Sequence, residues 1–163
     1  MKIGIMSDTH DNKENILKAI EIFNSEKVDK VFHAGDIVSV NSADLFRALD
    51  AEMIITFGNC DLDRSDLRVI LNDKAEFYDE FYDGKIGNKK IFMVHKPNHE
   101  DFYSQKDFDL IIHGHTHRLE MKNLGDSVLI NPGEVVGRRT GRATIVIYDL
   151  DSSERKVVDL KDC

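Results

Sequence analysis

Ile111-Ile112-His113-Gly114-His115-Thr116-His117 closes an apolar run with three histidines and one glycine. The run from Leu110 to Ile112 is typical of a buried strand, and the glycine at its end exposes the following side chains at a sheet edge. Imidazole is a common metal ligand. Because His115 and His117 are two residues apart, they face the same side of an extended chain and can converge on one ion or on two adjacent ions. Taken alone, the stretch is equally compatible with two solvated loop histidines.

Length and composition indicate one domain in a reducing compartment. A chain of 163 residues buries roughly 70% of the surface that its unfolded form exposes, so its core needs no disulfide bonds. Two cysteines, Cys60 and Cys163, are too few for a disulfide framework and fit the cytosol. The sequence shows neither a signal peptide nor an apolar run of about eighteen residues, so we expect a cytoplasmic protein without a membrane anchor.

The charge balance limits the class of partner. With 22 Lys+Arg against 30 Asp+Glu, the net charge of −8 argues against tight binding to nucleic acid, which needs a basic surface. A small nucleotide held by metal ions remains compatible with this charge. The sequence leaves open whether the chain forms a homo-oligomer.

The first half of the chain alternates strands with helices. Predicted strands cover 2–7, 28–33 and 53–57, and predicted helices cover 12–25, a segment from Asn41 or Ser42 to Leu49, and 64–71 with Asp63 as its N-cap. Asp11 and Glu14 resemble a capping box at the start of the first helix. Such alternation favours parallel strands with helices on the sheet faces.

The second half is rich in strands. They are predicted at 77–82, 90–94, 109–113, 119–124, 127–130, 143–148 and 155–160, with one short helix near 99–106. No internal repeat or linker divides the chain, so residues 1–163 are predicted to form a single domain. We therefore expect an α/β fold of two β-sheets packed face to face and flanked by helices, an α/β/β/α sandwich.

Polar side chains follow five of the predicted strands. One such residue after one strand is usually a turn or a cap, but five strand ends together are hard to explain by turn chemistry. Carboxylate, amide and imidazole donors without thiolate suit Mn, Fe, Co, Ni or Zn. Seven donors exceed one tetrahedral site, whereas two ions about 3.5–4 Å apart, bridged by a carboxylate, would use them all. The seven are Asp8, His10, Asp36, Asn59, His95, His115 and His117.

These residues resemble the signature of the calcineurin-like metallophosphoesterases. The blocks that carry the resemblance, in chain order, are Asp8-x-His10, Gly35-Asp36, Gly58-Asn59, His95 and Gly114-His115-x-His117. The length, the Gly58-Asn59-Cys60-Asp61 variant and the Asn131-Pro132-Gly133 loop are most similar to the small single-domain YfcE-type phosphodiesterases of this family.

The resemblance implies a ligand set and a reaction. Asp8, His10 and His117 would bind one metal ion, Asn59, His95 and His115 a second, and Asp36 would bridge them. The expected ion is Mn²⁺, with Ni²⁺, Fe, Co²⁺ or Zn²⁺ as alternatives. A hydroxide shared by the two ions would hydrolyse a small phosphodiester or nucleotide-like substrate. Residues of the family pattern with catalytic roles would be Asp36, Asn59, Cys60 and His95.

Two departures from the family pattern bear on the substrate. Cys60 replaces a histidine that donates a proton near the leaving group, and a thiol is a weaker acid at neutral pH, so diesters are favoured over alkyl monoesters. A small buried filler is the alternative for Cys60. Lys96-Pro97 stands where relatives have Gly-His, and Lys96 could meet a phosphate oxygen. Whether His99 replaces the missing histidine or is a solvated loop residue stays open.

Further residues are predicted to contact the substrate or to support the site. The predicted substrate-binding set is Asn59, Cys60, Lys96, Asn131 and Gly133. An arginine cluster either clamps a phosphodiester or forms a solvated loop; it comprises Arg138, Arg139 and Arg142. His33 and His113 are expected in the core or behind the ligands. Two other functions remain open, a phosphomonoesterase and a protein-interaction scaffold like the retromer subunit that shares this fold.

Overall fold

A computed structural model describes residues 1–97 and 107–161 of the chain. Its helices all precede residue 71 within the described ranges: α1 (Lys13–Ser25), α2 (Val40–Ala43), a 3₁₀ helix (Asp44–Ala48) and α3 (Arg64–Ile70). The strands of the first sheet are β1 (Lys2–Met6), β2 (Lys30–His33), β3 (Glu52–Thr56), β4 (Ala75–Tyr78), β10 (Thr144–Asp149) and β11 (Arg155–Asp159). Those of the second are β5 (Phe81–Ile86), β6 (Lys89–Val94), β7 (Leu110–His113), β8 (Leu119–Leu124) and β9 (Ser127–Pro132).

The order of strands brings several strand ends to one edge of each sheet. In the first sheet the order is β11-β10-β1-β2-β3-β4, and β1 to β4 run parallel. In the second sheet the order is β5-β6-β7-β9-β8, and β6, β7 and β9 run parallel. Side chains that follow β1, β2 and β3 therefore share one edge, and those that follow β6 and β7 share another.

Alternation along the strands builds two cores. Ile5 and Phe32 of the first sheet and Met93 and Ile112 of the second point between the sheets, where all four are buried. The opposite face of the first sheet packs against the buried stripe of α1, whose members are Ile16, Ala19, Ile20 and Phe23. The predicted α/β architecture of two packed sheets flanked by helices is thus confirmed. The helix predicted near 99–106 lies outside the described residues.

Within the described ranges, no helix combines the length and the apolar character that crossing a membrane requires.

Two local predictions were wrong. The N-cap of α1 is Asn12, whose Oδ1 accepts from the Asn15 amide at 3.2 Å, so Asp11 and Glu14 form no capping box. Asp11 instead accepts from the Ser39 hydroxyl at 2.6 Å, which ties the loop after β1 to the loop after β2. The helix predicted up to Leu49 is a four-residue α-helix followed by a 3₁₀ helix. Asp63 is the N-cap residue of α3, as predicted, although its side chain makes no capping hydrogen bond.

The strand predicted at 77–82 is two strands in different sheets. β4 ends at Tyr78 in the first sheet, and β5 begins at Phe81 in the second. Tyr78 and Tyr82 still meet between the sheets, with ring centroids 5.1 Å apart in an edge-to-face arrangement. The alternation of aromatic residues therefore continues across the crossover, which is why the pattern alone did not reveal the break.

Candidate metal centre

Three predicted ligands meet beside the end of β1. Asp8 and His10 follow β1 in the first sheet, and His117 follows β7 in the second. The Nε2 atom of His117 lies 3.3 Å from Asp8 Oδ1, and that of His10 lies 3.8 Å from the same oxygen. One donor atom from each of the three residues falls within 4.8 Å of the others, a spacing that one metal ion could fill.

Asp36 stands between this group and a second one. Its Oδ2 atom lies 3.5 Å from His10 Nε2 and 3.4 Å from His95 Nε2. Asp8, Asp36 and His95 offer donor atoms within 4.8 Å of one another. The Oδ1 atom of Asn59 lies 3.2 Å from His95 Nε2. A carboxylate with imidazoles on both sides is the arrangement that a shared ligand needs.

His115 lies close to this second group through its ring. The ring packs edge-on against that of His95, with centroids 5.2 Å apart. Its backbone amide donates to Asp8 Oδ2 at 3.1 Å. Among the described residues, the compact groups of carboxylates and imidazoles do not include the His115 ring.

Two buried side-chain atoms that could bind a metal have no hydrogen-bond partner, so these residues fit a divalent ion. Asp8 Oδ1 and His10 Nε2 are buried without a hydrogen-bond partner, which is costly unless something else binds them. His95 donates its Nδ1 proton to the Ala34 carbonyl at 2.6 Å, and His117 donates its Nδ1 proton to Glu134 at 2.7 Å. Both rings thereby turn a bare Nε2 toward the carboxylates, as ligating histidines do.

The carboxylates hold negative charge at this point. Burial alone would raise the pKa of Asp36, but the interaction with the His95 ring and a hydrogen bond from the Cys60 amide keep it well below its usual value. The neighbouring Asp8 carboxylate raises the pKa of His10 against the effect of its burial. The same field that attracts protons to the imidazoles attracts cations.

The candidate ligands adopt an uncommon backbone conformation. Positive φ angles, the left-handed region that costs a non-glycine residue energy, occur at Asp8 (53°), His10 (37°), Asp36 (62°), His115 (65°) and His117 (63°). Hydrogen bonds between the loops hold this geometry, with the Asp8 amide on the Gly35 carbonyl at 3.0 Å and the Gly114 amide on the His95 carbonyl at 3.1 Å. Strain of this kind concentrates at functional sites.

The glycines of the motif blocks are required by close packing. A Cβ atom at Gly58 would lie 2.1 Å from Asp36 Oδ1, and one at Gly114 would lie 2.0 Å from Ser7 Oγ. Ser7 itself donates to Asp8 Oδ2 at 2.6 Å. Any side chain at either glycine would displace a carboxylate of the centre or its partner.

Asp61 is a supporting residue that our sequence reasoning missed. Its buried carboxylate accepts four backbone N–H groups at 2.7–2.9 Å, those of Asp36, Ile37, Val38 and Gly58. It therefore fixes the loop after β2 against the loop after β3. Its place in the Gly58-Asn59-Cys60-Asp61 block was the one available signal.

Glu134 is the second missed residue. It is fully buried, and its Oε2 atom takes the His117 proton while its Oε1 atom accepts from the Thr140 amide at 2.6 Å. Burial alone would raise the pKa of Glu134, but these hydrogen bonds lower it. The residue after Asn131-Pro132-Gly133 thus orients one candidate ligand and anchors the loop that follows.

Two of the predicted substrate contacts, Asn131 and Gly133, are packed inside the protein. The Asn131 side chain is fully buried, and its Nδ2 donates to the Gly114 carbonyl at 3.1 Å and to Thr116 Oγ1 at 2.9 Å. Its amide is therefore committed to holding the loop after β7. A Cβ atom at Gly133 would meet Thr144 Oγ1 at 2.3 Å, so this glycine closes against β10 and not against the metal centre.

The other predicted contacts lie at the surface of the site. Asn59 and Lys96 are exposed, and Cys60 is partly buried with its amide on Asp36 Oδ1 at 2.8 Å. Burial and the charge of Asp36 raise the pKa of the Cys60 thiol to about 11. His99 lies outside the described residues.

His33 and His113 lie behind the ligands, where they were expected. His33 is fully buried, and its Nδ1 accepts from the Gly35 amide at 3.1 Å. Burial lowers the pKa of His33 to about 4, so the ring is neutral at pH 7. His113 is also buried, and its Nδ1 lies 3.1 Å from the Gly114 carbonyl.

The candidate ligands face a cavity of about 280 Å³. It is lined by His10, Asp36, Asn59, Cys60, His115, His117 and Arg139. Arg139 is thus the member of the predicted arginine cluster that reaches the site. Arg142 is instead paired with Asp159, Nε to Oδ2 at 3.1 Å.

Comparisons with known proteins agree with this geometry. Residues 1–153 match the calcineurin-like phosphoesterase superfamily domain. Phosphodiesterase MJ0936 of Methanocaldococcus jannaschii is 41% identical over 167 residues, which cover 99% of this chain and 100% of that protein. A solved structure described as a novel archaeal phosphodiesterase is 40% identical with a TM-score of 0.92, over 98% of this chain and 99% of the other.

A more distant structure shares the fold. YfcE, a phosphoesterase from E. coli, is 16% identical with a TM-score of 0.76, over 98% of this chain and all (100%) of YfcE. At that identity the likeness shows the fold alone. The family match spans nearly the whole chain and MJ0936 is similar from end to end, so this chain belongs to the calcineurin-like phosphoesterase superfamily.

Proposed function

We propose that this chain is a metal-dependent phosphodiesterase that uses two divalent ions. The observation that carries the proposal is the position of Asp36 Oδ2, which lies 3.5 Å from His10 Nε2 and 3.4 Å from His95 Nε2. One ion would be held by Asp8, His10 and His117, the other by Asn59, His95 and His115, and Asp36 would contribute to both. The 41% identity to phosphodiesterase MJ0936 supports the same activity.

The chain's own residues define what surrounds the reacting phosphate. Bound divalent ions supply Lewis-acid polarisation of the ester and acidify a coordinated water. Asn59 is a neutral donor, so it adds a ligand without adding to the negative charge of Asp8 and Asp36. Cys60 keeps its proton at neutral pH because its pKa is raised to about 11, and it is a weak acid toward a leaving group. Esters whose leaving group needs little protonation are therefore the favoured substrates.

The same chemistry supports the metal, the substrate and the location that we propose. Nitrogen and oxygen donors without an available thiolate suit Mn²⁺, with Ni²⁺, Fe, Co²⁺ or Zn²⁺ as alternatives. A cavity of about 280 Å³ fits a small phosphodiester or a nucleotide-like molecule. The free thiol of Cys60 agrees with a cytoplasmic location.

Hydrolysis of paired model esters tests the proposal. We expect the Mn²⁺- or Ni²⁺-loaded protein to hydrolyse bis(p-nitrophenyl) phosphate faster than an alkyl phosphate monoester, because Cys60 is a poor proton donor to an alkoxide leaving group. Asp36→Asn should remove most activity and reduce the metal content measured by mass spectrometry of the protein. A metal-replete protein that cleaves neither ester would refute the proposal and favour the scaffold function.

A further inference from the structure

A second, larger cavity adjoins the candidate metal centre. It has a volume of about 600 Å³ and is lined by Thr116, Arg118, Leu119, Glu120, Arg139 and Thr140. We refer to it as the arginine groove. Arg139 lines the smaller cavity as well, so the two meet at this side chain. A ligand held at the metal centre can extend past Arg139 into the groove.

The two arginines of the groove lack the ion pairs that several other arginines of the described chain form. Arg47, Arg68 and Arg142 each pair with an aspartate at 2.7–3.1 Å. Arg118 and Arg139 are exposed, and no carboxylate of residues 1–97 or 107–161 lies within ion-pair distance of either. In a chain with a net charge of −8, two unpaired guanidinium groups on one wall are unusual.

The single acid of the groove does not cancel this charge. The Glu120 carboxylate forms an ion pair with Lys122, and its other oxygen lies 3.7 Å from His113 Nε2. Because a lysine on the same strand neutralises Glu120, the groove retains the positive charge of its arginines.

Thr116 adds a hydrogen-bond donor to the same wall. Its hydroxyl oxygen accepts from Asn131 Nδ2 at 2.9 Å and from the Arg118 amide at 3.4 Å. These bonds occupy the oxygen as an acceptor, and no acceptor for its proton is found in the described part of the chain. The hydroxyl is therefore available to donate to an oxygen in the groove.

A buried carboxylate fixes the groove relative to the metal centre. Glu134 accepts the Thr140 amide at 2.6 Å through Oε1 and the His117 proton at 2.7 Å through Oε2. The backbone that carries Arg139 is thereby linked to a candidate ligand by one side chain. A preorganised cation at a set distance from the metal centre discriminates between substrates better than a mobile one.

We propose that the arginine groove binds a terminal phosphate carried by the phosphodiester substrate. The proposal rests on the proposed function and adds the substrate class, a diester with a further phosphate monoester on one of its two halves, such as a phosphorylated dinucleotide. One guanidinium group can donate hydrogen bonds to two oxygens of the same phosphate, and the Thr116 hydroxyl supplies one more donor. Leu119 offers an apolar surface for the part of the substrate that joins the two phosphates.

Dinucleotides with and without a terminal phosphate test the proposal. For the Mn²⁺-loaded protein, kcat/KM is measured on TpT, pTpT and TpTp. We expect one of the phosphorylated dinucleotides to exceed TpT by about fivefold, mainly through KM, because the groove is open to solvent and screening limits the gain. Added salt should reduce this advantage.

Arginine variants assign the effect to the groove. The ratio to follow is kcat/KM on the preferred phosphorylated dinucleotide divided by kcat/KM on TpT. Arg118→Gln and Arg139→Gln should each bring this ratio close to one. Arg142→Gln is the matched control, since this arginine pairs with Asp159 and lines neither cavity, and it should keep the wild-type ratio. A ratio has the further advantage that a general loss of activity leaves it unchanged. Equal kcat/KM for all three dinucleotides in the wild type would overturn the proposal.

A binding measurement separates this proposal from the proposed function. By calorimetry, the wild type should bind thymidine 3′,5′-bisphosphate more tightly than thymidine 5′-monophosphate, and Arg118→Gln should lose the difference. If the protein shows this difference in binding but hydrolyses no diester, the proposed phosphodiesterase function is refuted and the groove proposal stands. Equal binding of the two nucleotides would refute the groove even in a protein that cleaves diesters.

Discussion

Cys60 shows how one side chain can bias the reaction without binding a metal. Its amide holds Asp36 Oδ1 at 2.8 Å, so the backbone of this residue belongs to the metal centre while its thiol faces the cavity. Burial and the neighbouring carboxylate raise the pKa of that thiol to about 11. At neutral pH the group neither attacks phosphorus as a thiolate nor gives up its proton readily.

Replacing Cys60 by histidine should therefore shift the substrate preference. In Cys60→His, we expect the rate on alkyl monoesters to rise about tenfold relative to bis(p-nitrophenyl) phosphate, because an imidazolium protonates the basic alkoxide leaving group, which p-nitrophenolate does not require. The measurement is the ratio of kcat/KM between the two ester classes. Cys60→Ser is the control and should leave this ratio unchanged. If both variants give the same ratio, leaving-group protonation does not set the preference.

At the level of single residues, the sequence revealed donors better than their supports. Asp8, Asp36 and His95 could be identified because strand ends expose polar side chains at a sheet edge. Asp61 and Glu134 act by accepting hydrogen bonds from loops distant in sequence, 25 residues away for the Asp36 amide and 17 for His117. Such partners are set by tertiary structure, so no local pattern predicts them. The contacts of the Asn131 side chain with the loop after β7 were not predicted for the same reason.

Among the structural elements, the loops after β2 and β3 depend on one carboxylate. Asp61 is 2% exposed and accepts the amides of Asp36, Ile37, Val38 and Gly58. Val38 has a φ of 88°, which is strained for a branched residue. The hydrogen bonds to Asp61 compensate for that strain and fix Asp36 in place.

Removing one oxygen from Asp61 should weaken both loops. In Asp61→Asn, an amide NH₂ group replaces one carboxylate oxygen and faces backbone N–H donors, so at least one of these donors loses its acceptor. We therefore expect the free energy of unfolding to fall by about 2–4 kcal/mol. Urea denaturation of the metal-free protein measures it. The control is Asp63→Asn, at an exposed position without a side-chain capping bond, which should change stability by no more than about 0.5 kcal/mol. Equal losses in the two variants would contradict the role of Asp61.

Helices and strands were predicted well where the pattern of apolar residues repeats over many residues, and poorly where the element is too short for a repeat. The four buried residues of α1 recur at helical spacing and identified that helix to within a residue at its start. The α2 segment spans four residues, too few for a period to show. The switch from β4 to β5 was hidden because Tyr78 and Tyr82 keep their alternation on both sides of it.

On the scale of the whole molecule, the candidate ligands connect the two sheets. Asp8, His10, Asp36 and Asn59 follow strands of the first sheet, and the other three follow strands of the second. His117 and Asp8 approach to 3.3 Å across the junction. Ions bound there would link the sheets at the edge where the strands end, in addition to the apolar core between them.

Metal removal should accordingly destabilise the entire domain. At a metal concentration about 100 times its Kd, binding adds roughly 2.7 kcal/mol, which corresponds to about 5–10 °C in Tm for a chain of this size. Differential scanning calorimetry with and without EDTA measures the change, and a single transition should persist in both samples. Asp36→Asn should show a much smaller EDTA effect. A Tm that is independent of EDTA in metal-replete wild type would exclude a bound ion that stabilises the fold.

The place of β1 inside the first sheet has a consequence for biosynthesis. One edge of β1 pairs with β2, a close neighbour in the chain, and the other pairs with β10 near the opposite end. On the ribosome, the nascent chain can assemble β1, β2 and β3 with their helices early, yet the second edge of β1 waits until Thr144 to Asp149 have emerged. Until then the backbone N–H and C=O groups on that edge of β1 stay unpaired, and an open strand edge of this kind recruits chaperones or other nascent chains.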